Sequence, residues 1–246
     1  MKILKLFLYL LLIFIIKTED TTIDLSENLW NYEDTEYFTV TQGIELDTIQ
    51  LISSSTSYVL TGSSNKIKVV ISASCILQLN SLNLESITPI IINENKEVSL
   101  VLIGTSSLID SSGNDKKGVI YLNDGSKLTI SGDGILNIKP KKYMAIYGEE
   151  NISLIVNGGN IKIESYDYSN FGGFFLKKEI IFNDGTFTFK FYNQGPENGN
   201  YLHALDSEGP ITIKKGTYNI LTQRGKCLRA EGNIYLGKLH DDNSQL

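Results

Sequence analysis

Residues 130–138 read Ile-Ser-Gly-Asp-Gly-Ile-Leu-Asn-Ile, a glycine corner followed by alternating apolar residues, and the chain repeats this pattern three more times. The other copies are residues 156–163, 182–189 and 213–220. The intervals between the anchor glycines Gly134, Gly159, Gly185 and Gly216 are 25, 26 and 31 residues. Repeats of this length are typical of solenoids, whose units bury their apolar faces by stacking on one another.

Each copy predicts a strand with one buried and one solvated face. The residues two and four positions after the anchor glycine are apolar, and the residue between them is polar, as expected of a half-buried strand. The anchor glycines are expected to supply the positive φ that a sharp corner needs. We expect the following residues to face inward: Leu136, Ile138, Ile161, Ile163, Phe187, Phe189, Tyr218 and Ile220.

Every unit also contains a second, shorter apolar run, as in residues 118–121, 144–147, 173–176, 202–205 and 227–230. One turn of the solenoid therefore holds two or three short strands. Antiparallel hairpins could repeat as well, but they alternate in strand direction, whereas here corner, strand and corner recur in one order. The pattern favours an all-β fold, namely a right-handed parallel β-helix.

Looser copies of the pattern at residues 58–62, 67–71, 76–84 and 98–104 extend the predicted solenoid over residues 44–239, as a single domain. Residues 18–43 are predicted to form an N-terminal cap, with Trp30 packed on the first turn, because a solenoid must protect its end. Residues 240–246 form a C-terminal tail. Either this tail folds over the last turn, or the sequence is truncated.

Residues 1–17 have the features of a secretory signal peptide. Lys2 and Lys5 precede an apolar block that is too short to span a bilayer. The following residues, 17–20, lack the small side chains usual at a cleavage site, so an uncleaved anchor is the alternative. The leader predicts a secreted, extracellular protein with no membrane association after cleavage.

The composition argues against a nucleic-acid partner. The chain carries 28 acidic and 22 basic residues, and the arginines are Arg224 and Arg229, whereas a nucleic-acid binder would show an arginine-rich basic stripe. Cys75 and Cys227 are too few for a disulfide framework. A solenoid places them several turns apart, so both are interpreted as separate, inward-facing residues.

Four segments follow one another in an order that resembles a known family. They are Ser57-Tyr-Val-Leu-Thr-Gly62, residues 77–84, Ile103-Gly-Thr-Ser-Ser-Leu-Ile-Asp110, and residues 119–138. This series, spanning about residues 49–236, is similar to extracellular carbohydrate-binding proteins with a right-handed parallel β-helix of the pectate-lyase-like superfold. The resemblance implies binding of pectin or polygalacturonate, which are uronate-rich polysaccharides.

The resemblance also raises the question of calcium. Members often carry Asp-Asp-Gly-Ile before the short strand of each unit, and these carboxylates suit calcium. At the corresponding places in this chain only Asp115 is retained, whereas calcium takes six to eight oxygen ligands. Asp115 is therefore a lone candidate metal ligand, and inherited calcium sites are doubtful.

Aromatic residues in two loops are the candidate sugar-binding residues, because a flat ring can stack on a pyranose face. The candidates are Tyr166, Tyr168 and Phe171 in one loop, and Tyr192 and Tyr201 beside the longest insertion. In the solenoid both loops leave adjacent turns at equivalent positions, so they are expected on one edge. The alternative is that the rings cover the apolar strands beneath them.

Lysines near the corners are candidates for pairing with an acidic polysaccharide, in particular Lys141, Lys142, Lys177 and Lys178, with Lys139, Lys214 and Lys215 in similar positions. A line of lysines could replace calcium as the counter-charge of a uronate chain. The alternative is that they are solvated residues that discourage edge pairing. Asn151, in Asn-Ile-Ser, is a candidate glycosylation site.

Catalysis is the disfavoured hypothesis. A glycoside hydrolase needs two facing carboxylates, yet the acidic pairs 149–150 and 241–242 lie outside the predicted strands. The Asn-Asp-Gly triplets at 123–125 and 183–185 are interpreted as tight turns rather than metal loops. We expect a secreted protein that binds cell-wall polysaccharide without cleaving it. The alternatives are a structural or adhesive β-helix, or a polysaccharide lyase or hydrolase with an unrecognised site.

Overall fold

The computed structural model describes residues 20–26, 33–43, 46–54, 56–111, 118–141, 143–148, 150–165, 172–191, 203–222 and 225–237. Over these ranges the secondary structure consists of strands joined by turns and bends, without a helix. Accordingly, this part of the chain contains no helix of the length and apolarity required to cross a membrane. The leader, Trp30 and the tail at 240–246 lie outside the described residues.

The strands form three sheets, which we call A, B and C. Sheet A contains β1 (Asp20–Asp24), β4 (Ser57–Thr61), β7 (Cys75–Asn80), β10 (Glu97–Ile103), β13 (Lys127–Gly132), β16 (Ser153–Val156), β19 (Glu179–Phe182), β22 (Ile211–Ile213) and β25 (Ile234–Leu236). Sheet B contains β2 (Phe38–Thr41), β3 (Asp47–Leu51), β6 (Ile67–Ile71), β9 (Ile90–Ile92), β12 (Ile120–Leu122), β15 (Met144–Gly148), β18 (Gly172–Leu176), β21 (Leu205–Ser207) and β24 (Leu228–Ala230). Sheet C contains β5 (Ser63–Ser64), β8 (Asn83–Ser86), β11 (Thr105–Asp110), β14 (Ile135–Lys139), β17 (Asn160–Ser165), β20 (Thr186–Phe191) and β23 (Thr217–Thr222).

From β3 to β25 the chain passes through sheets B, A and C in rotation, so that each turn contributes one strand to each sheet. Strands of successive turns pair in parallel; Leu128 of β13, for example, lies between Val98 of β10 and Leu154 of β16. The prediction of stacked parallel strands is therefore confirmed. Among the described strands, the hairpin alternative holds only for β2 and β3, which pair antiparallel.

The inward residues of the three sheets form one continuous apolar core. Of the residues predicted to face inward, the pairs in β14, β17 and β20 are fully buried. Tyr218 and Ile220 of β23 pack against the same core but are only half-buried. The difference arises because β23 is an edge strand, with β20 as its neighbour in sheet C.

The anchor glycines lie at the corner from sheet A to sheet C, and the prediction of positive φ is wrong for one of them. Gly159, Gly185 and Gly216 adopt positive φ as predicted, but in the first copy the positive φ belongs to Gly132 (φ 97°), not Gly134. A Cβ on Gly134 would lie 2.7 Å from the carbonyl oxygen of Gly104 and 2.8 Å from the nitrogen of Ile103. Gly134 is therefore required for the close approach of two turns, since real Cβ contacts are longer.

The residues predicted as an N-terminal cap contribute strands to two sheets. β1 pairs in parallel with β4 at the edge of sheet A, and β2 ends sheet B with its antiparallel pairing. Ile23, Leu25 and Phe38 from this segment are buried, so the first turn of the core is covered.

The two cysteines are free and differ in environment. Cys75 is buried and faces inward, as predicted, and burial raises the pKa of its thiol to about 11. Cys227 is exposed, so the prediction of an inward position is wrong for this residue. It lies just before β24, in the last described turn of the solenoid.

Candidate functional site

The five aromatic residues predicted to bind sugar, Tyr166, Tyr168, Phe171, Tyr192 and Tyr201, lie outside the described residues, as do Lys142 and Asp115. The strands on either side of them are nevertheless informative. Residues 166–171 join β17 of sheet C to β18 of sheet B, and residues 192–202 lie between β20 of sheet C and β21 of sheet B. Both segments therefore connect sheet C to sheet B in neighbouring turns, and we call this connection the C-to-B corner.

The described lysines lie at different corners of the solenoid. Lys141 lies at the C-to-B corner, before β15, whereas Lys177 and Lys178 follow β18 at the corner from sheet B to sheet A. Lys214 and Lys215 lie at the corner from sheet A to sheet C. These lysines therefore do not form a single line along the solenoid, contrary to the hypothesis from the sequence.

The outer face of sheet B carries a row of stacked aromatic rings, which we call the aromatic ladder. Tyr121, Tyr147 and Phe175 occupy the same register position in β12, β15 and β18. The ring centroids of Tyr121 and Tyr147 are 5.9 Å apart, and those of Tyr147 and Phe175 are 5.5 Å apart, with interplanar angles of 19° and 23°. Tyr143 meets Tyr147 edge-on, with a centroid distance of 4.9 Å. These are favourable offset-stacked and edge-to-face arrangements.

The central ring of the ladder has a different role from the outer two. Tyr147 is only 6% exposed, whereas Tyr121 and Phe175 are half-buried. Tyr147 therefore positions its neighbours, and Tyr121 and Phe175 provide the surface that a ligand could reach. On the side of the ladder nearer β3, the same register position is occupied by the apolar residues Ile91 of β9 and Val70 of β6. This column of sheet B is therefore apolar over several turns.

Lysines flank the aromatic ladder at both ends of its strands. Lys141 lies three residues before β15, and its Nζ donates a hydrogen bond to the carbonyl oxygen of Ser111, 3.1 Å away. At the opposite end of the strands, Lys177 is half-buried and Lys178 is exposed. Within the described ranges, neither Lys177 nor Lys178 forms a salt bridge with a carboxylate. Their ammonium groups can therefore serve an external anion.

Beyond Phe175 the register position becomes charged. Asp206 of β21 follows Phe175, and Arg229 of β24 follows Asp206. Nη1 of Arg229 donates to both carboxylate oxygens of Asp206, at 3.0 and 3.1 Å, and its Nη2 lies 3.4 Å from Glu231. The guanidinium is thus already compensated by two carboxylates, and it is not available as the principal partner of an external one.

His203 lies beside this charged cluster. Its Nδ1 accepts a hydrogen bond from the backbone nitrogen of Lys226, 2.9 Å away. Burial lowers the pKa of His203, and the charges of Arg229 and Lys226 act in the same direction, while Asp206 opposes them. Burial likewise raises the pKa of Asp206, against the influence of Arg229. The imidazole is therefore held in its neutral form more strongly than in a free histidine.

Sequence reasoning missed the aromatic ladder, although a signal was present. Tyr121 and Tyr147 each close one of the short apolar runs, 118–121 and 144–147, and Phe175 lies within the next run, 173–176. These runs predict strands, but the pattern of one run does not by itself show that its aromatic residue lies beside those of the next. Aligning the runs by their inward residues would have placed the three rings in one row.

The Asn-Asp-Gly triplets are turns, as predicted. Asp124 accepts a hydrogen bond from Asn151 Nδ2, 3.3 Å away, and Asp184 is bound by Lys215 Nζ at 2.8 Å. The hydrogen bond from Lys215 is the main reason that the pKa of Asp184 is lowered. The hydrogen bond from the backbone N–H of Gly185 lowers this pKa further. The two triplets lie at different corners, between β12 and β13 and between β19 and β20.

The described residues offer no fit for calcium. Within the described ranges, no group of three or more histidine, cysteine, aspartate or glutamate residues lies close enough to hold a metal ion. Calcium takes six to eight oxygen ligands, commonly including several carboxylates. We therefore assign no step of ligand binding to a bound metal.

Asn151 occupies an exposed corner with a positive φ of 55°. The amide is at the surface, as a glycan would require, but its hydrogen bond to Asp124 would have to break or rearrange. Glycosylation at Asn151 stays a prediction.

Comparison with known proteins identifies the family. The model of a family described as carbohydrate-binding domain-containing protein matches residues 47–238. Searches of curated proteins and of solved structures gave no match. The matched region runs from β3 to just beyond β25, so it includes the aromatic ladder and its lysines. Because the family model matches most of the length of this chain, the chain belongs to this family of carbohydrate-binding domain-containing proteins.

Proposed function

We propose that this carbohydrate-binding protein is secreted and holds an acidic cell-wall polysaccharide along the outer face of sheet B, without cleaving it. The observation that carries the proposal is the aromatic ladder between two lysine-bearing corners. The aromatic candidates Tyr166, Tyr168, Phe171, Tyr192 and Tyr201 lie outside the described residues and stay predictions.

The aromatic ladder supports carbohydrate binding because a sugar ring has an apolar face. Rings that are already fixed by stacking lose little conformational freedom when a ligand binds, which favours affinity. Tyr147 stacks between Tyr121 and Phe175, so both accessible rings are fixed in this way. Tyr121 also brings a phenol hydroxyl, which can donate to or accept from a sugar hydroxyl.

The lysines support an acidic ligand. Lys177 and Lys178 lie at the end of the strands that form the ladder, so an acidic chain lying on the ladder could bring its carboxylates near their ammonium groups. Such pairs at an exposed surface are weak individually and are screened by salt. Binding is therefore expected to be salt-sensitive and insensitive to a calcium chelator.

We propose a non-catalytic role because of the state of the carboxylate on the outer face of sheet B. The carboxylate nearest to the ladder in register is Asp206, and Arg229 occupies both of its oxygens. An acid or base that must exchange a proton with substrate needs a free oxygen within hydrogen-bond reach. Asp206 is therefore better suited to fixing Arg229 than to general acid–base chemistry.

We further propose that the solenoid is right-handed and of the pectate-lyase-like type, with residues 44–239 as the carbohydrate-binding domain. Connections between parallel strands of one sheet are right-handed in about 98% of cases, and each turn of this chain is such a connection. The leader at residues 1–17 supports secretion through its charged and apolar parts.

Binding to polygalacturonate, compared with a neutral glucan, tests the proposal. We expect polygalacturonate to bind more tightly at low salt, to weaken as salt is raised, and to be unaffected by chelator, with no release of unsaturated or reducing ends. The double variant Lys177→Gln/Lys178→Gln should lose affinity, while Lys162→Gln/Lys214→Gln, which changes one lysine on sheet C and one at the corner from sheet A to sheet C, should not. Equal binding of both polymers, or product release, would contradict the proposal.

A further inference from the structure

A cleft lies at the corner from sheet B to sheet A, close to the aromatic ladder. It has a volume of about 340 Å³ and is lined by Asn93, Glu94 and Asn123. Asn93 and Glu94 follow β9, and Asn123 follows β12, so two neighbouring turns contribute to it. Small-molecule sites commonly measure ~300–1,000 Å³. The cleft is therefore large enough to hold part of a ligand that also lies on sheet B.

The cleft and the aromatic ladder share one face of the solenoid. Asn123 lies two residues after Tyr121 of the ladder, and its backbone N–H donates to the carbonyl oxygen of Ile92, 2.9 Å away. The pairing of sheet B thus continues through this residue. Asn93 has the same position in the preceding turn, two residues after Ile91. Side chains two residues apart on a strand point to the same face, about 7 Å apart. The cleft therefore adjoins the β12 end of the ladder.

The side chains that line the cleft present hydrogen-bond acceptors. Nδ2 of Asn93 donates to Oγ of Ser72, 2.8 Å away, and Nδ2 of Asn123 donates to the carbonyl oxygen of Ile92, 2.9 Å away. These bonds hold the amide nitrogens, while neither Oδ1 atom accepts a hydrogen bond from a described residue. Glu94 is exposed and forms no salt bridge within the described ranges. Carboxylate and amide oxygens only accept, so a complementary ligand brings donors such as sugar hydroxyls.

The charge of this corner changes along the solenoid. Four residues separate β9 from β10, β12 from β13 and β15 from β16, and the second of the four is acidic and exposed each time. These acidic residues are Glu94, Asp124 and Glu150. In the next turn, the corner after β18 carries Lys177 and Lys178 instead. The corner is therefore acidic beside the cleft and basic beside Phe175.

Two further lysines near the cleft do not line it. Lys96 directly precedes β10 and Lys127 begins β13, so both lie on the sheet A side of the corner. The charged residue that lines the cleft is Glu94. A sugar carboxylate in the cleft would be repelled by this glutamate, because like charges raise each other's energy. A sugar residue that has hydroxyl groups but no carboxylate avoids this cost.

We infer that the cleft is a subsite for an uncharged sugar residue, so that sheet B recognises a polysaccharide in which free carboxylates and uncharged sugars are mixed. The inference rests on the proposed function, since it concerns the same ligand and the same face. Free carboxylates lie beside Lys177 and Lys178, and the uncharged residue donates its hydroxyls to Asn93 and Asn123. The strands β12 and β18 are two strand spacings apart, about 10 Å, so one oligosaccharide occupies both places.

Oligogalacturonides of one length, with none, half or all of their carboxylates methyl-esterified, test the inference. The ester removes the charge and leaves the sugar ring unchanged. Titration calorimetry at low salt compares the three ligands, and we expect the half-esterified ligand to bind most tightly. The unesterified ligand loses affinity at the cleft, and the fully esterified ligand has no carboxylate for the lysines.

Glu94→Gln is the most selective variant, because it removes the charge of an exposed residue and keeps its size. It should raise the affinity for the unesterified ligand by about two- to fivefold, the usual effect of one exposed charge pair. The preference for the half-esterified ligand should shrink accordingly. The matched control is Glu85→Gln, at an exposed glutamate of β8 in sheet C, which should change neither affinity.

Asn93→Ala/Asn123→Ala tests the acceptors. This double variant should weaken binding of the half-esterified ligand by about tenfold or more, the effect of losing two hydrogen bonds of ordinary strength. Asn83→Ala/Asn219→Ala, at two exposed asparagines on the outer face of sheet C, should bind like the wild type. Thermal unfolding of each variant checks that the fold is retained.

The contrary results separate this inference from the proposed function. Affinity that rises steadily as esters are removed, or a preference that Glu94→Gln leaves unchanged, would overturn the inference and leave the proposed function standing. Tightest binding of the fully esterified ligand, or binding of none of the three, would contradict the proposed function and the inference with it. Binding of a glucosamine oligomer in preference to all three, lost in Glu94→Gln, would overturn the inference by showing that the cleft takes an ammonium group.

Discussion

Sheets B and C belong to the same solenoid, but the central columns of their outer faces differ in polarity. The central outward column of sheet B runs through Val70, Ile91, Tyr121, Tyr147 and Phe175. The corresponding column of sheet C is polar throughout: Asn83, Ser107, Asn137, Lys162, Thr188 and Asn219. Both sheets are parallel and bury their inward residues in the same core.

The comparison shows which part of the sequence is free to specialise. Inward positions must be apolar in every turn, because each turn stacks on the next. Outward positions carry no such requirement, so a continuous apolar column there calls for a covering group or a ligand. The outward column of sheet C is polar, whereas that of sheet B retains apolar rings beside lysines. This difference is the reason for placing the ligand on sheet B.

The largest expected effect is on stability, at the centre of the ladder. Tyr147→Ala should lower the free energy of unfolding by about 3–5 kcal/mol, because it removes a nearly buried ring that contacts three others. Asn137→Ala, at the centre of the sheet C column, should cost about 1 kcal/mol, the value of its hydrogen bond to the carbonyl of Ser106. Denaturant unfolding of both variants measures the difference, and equal values would show that the ladder is not packed as described.

The next effect concerns binding. Phe175→Ala should weaken polygalacturonate binding by about tenfold or more, since an aromatic side chain at the centre of an interface can contribute more than about 1 kcal/mol. Phe175→Tyr should retain binding, because it keeps the ring. Thr188→Ala, half-buried on sheet C, is the matched control and should bind like the wild type. Titration calorimetry compares the three, and loss of binding in Thr188→Ala alone would move the ligand to sheet C.

The smallest expected effect is a pH dependence of stability that arises from His203, beside β21 of sheet B. Because burial lowers the pKa of His203, its contribution to stability is fully present above pH 6.5 and is lost as the pH falls through the lower pKa of the folded state. The groups that face it are Asp206, Arg229 and Lys226. Between pH 7.5 and 6 the protein should therefore lose a small part of its stability.

His203→Gln should flatten this dependence, whereas Asn219→Gln on sheet C should leave it unchanged. Asp206 acts in the opposite sense and lower in pH: its raised pKa means that its cost to folding disappears as the pH falls towards 3.8. Melting temperatures of the wild type and both variants at several pH values provide the measurement. A wild-type stability that rises from pH 7.5 to 6 would contradict the assignment.

Much of the fold could be predicted from local alternation. The strands after each anchor glycine and their inward residues follow from the period of two, which does not depend on distant parts of the chain. The exceptions had long-range causes. Gly134 is needed because of an approach to Gly104 in the preceding turn, and Cys227 is exposed in a turn at the edge of the sheets.

The candidate site was harder to predict, because its residues come together only through the register between turns. Tyr121, Tyr147 and Phe175 are separated by segments of unequal length, so a fixed period does not align them. The lysines illustrate the same limit. Lys141 and Lys178 lie at different corners of the solenoid. Predicting the corner of each lysine requires knowing where each strand begins and ends.

Hydroxyl-radical footprinting with and without an oligogalacturonide tests the placement of the ligand most directly. The oxidation of Tyr121 and Phe175 is expected to fall when the ligand is bound, while Leu221 on sheet C and Ile76 on sheet A, both exposed, should be oxidised equally in both conditions. Protection of Leu221 without protection of Tyr121 and Phe175 would contradict the account and place the polysaccharide on another face.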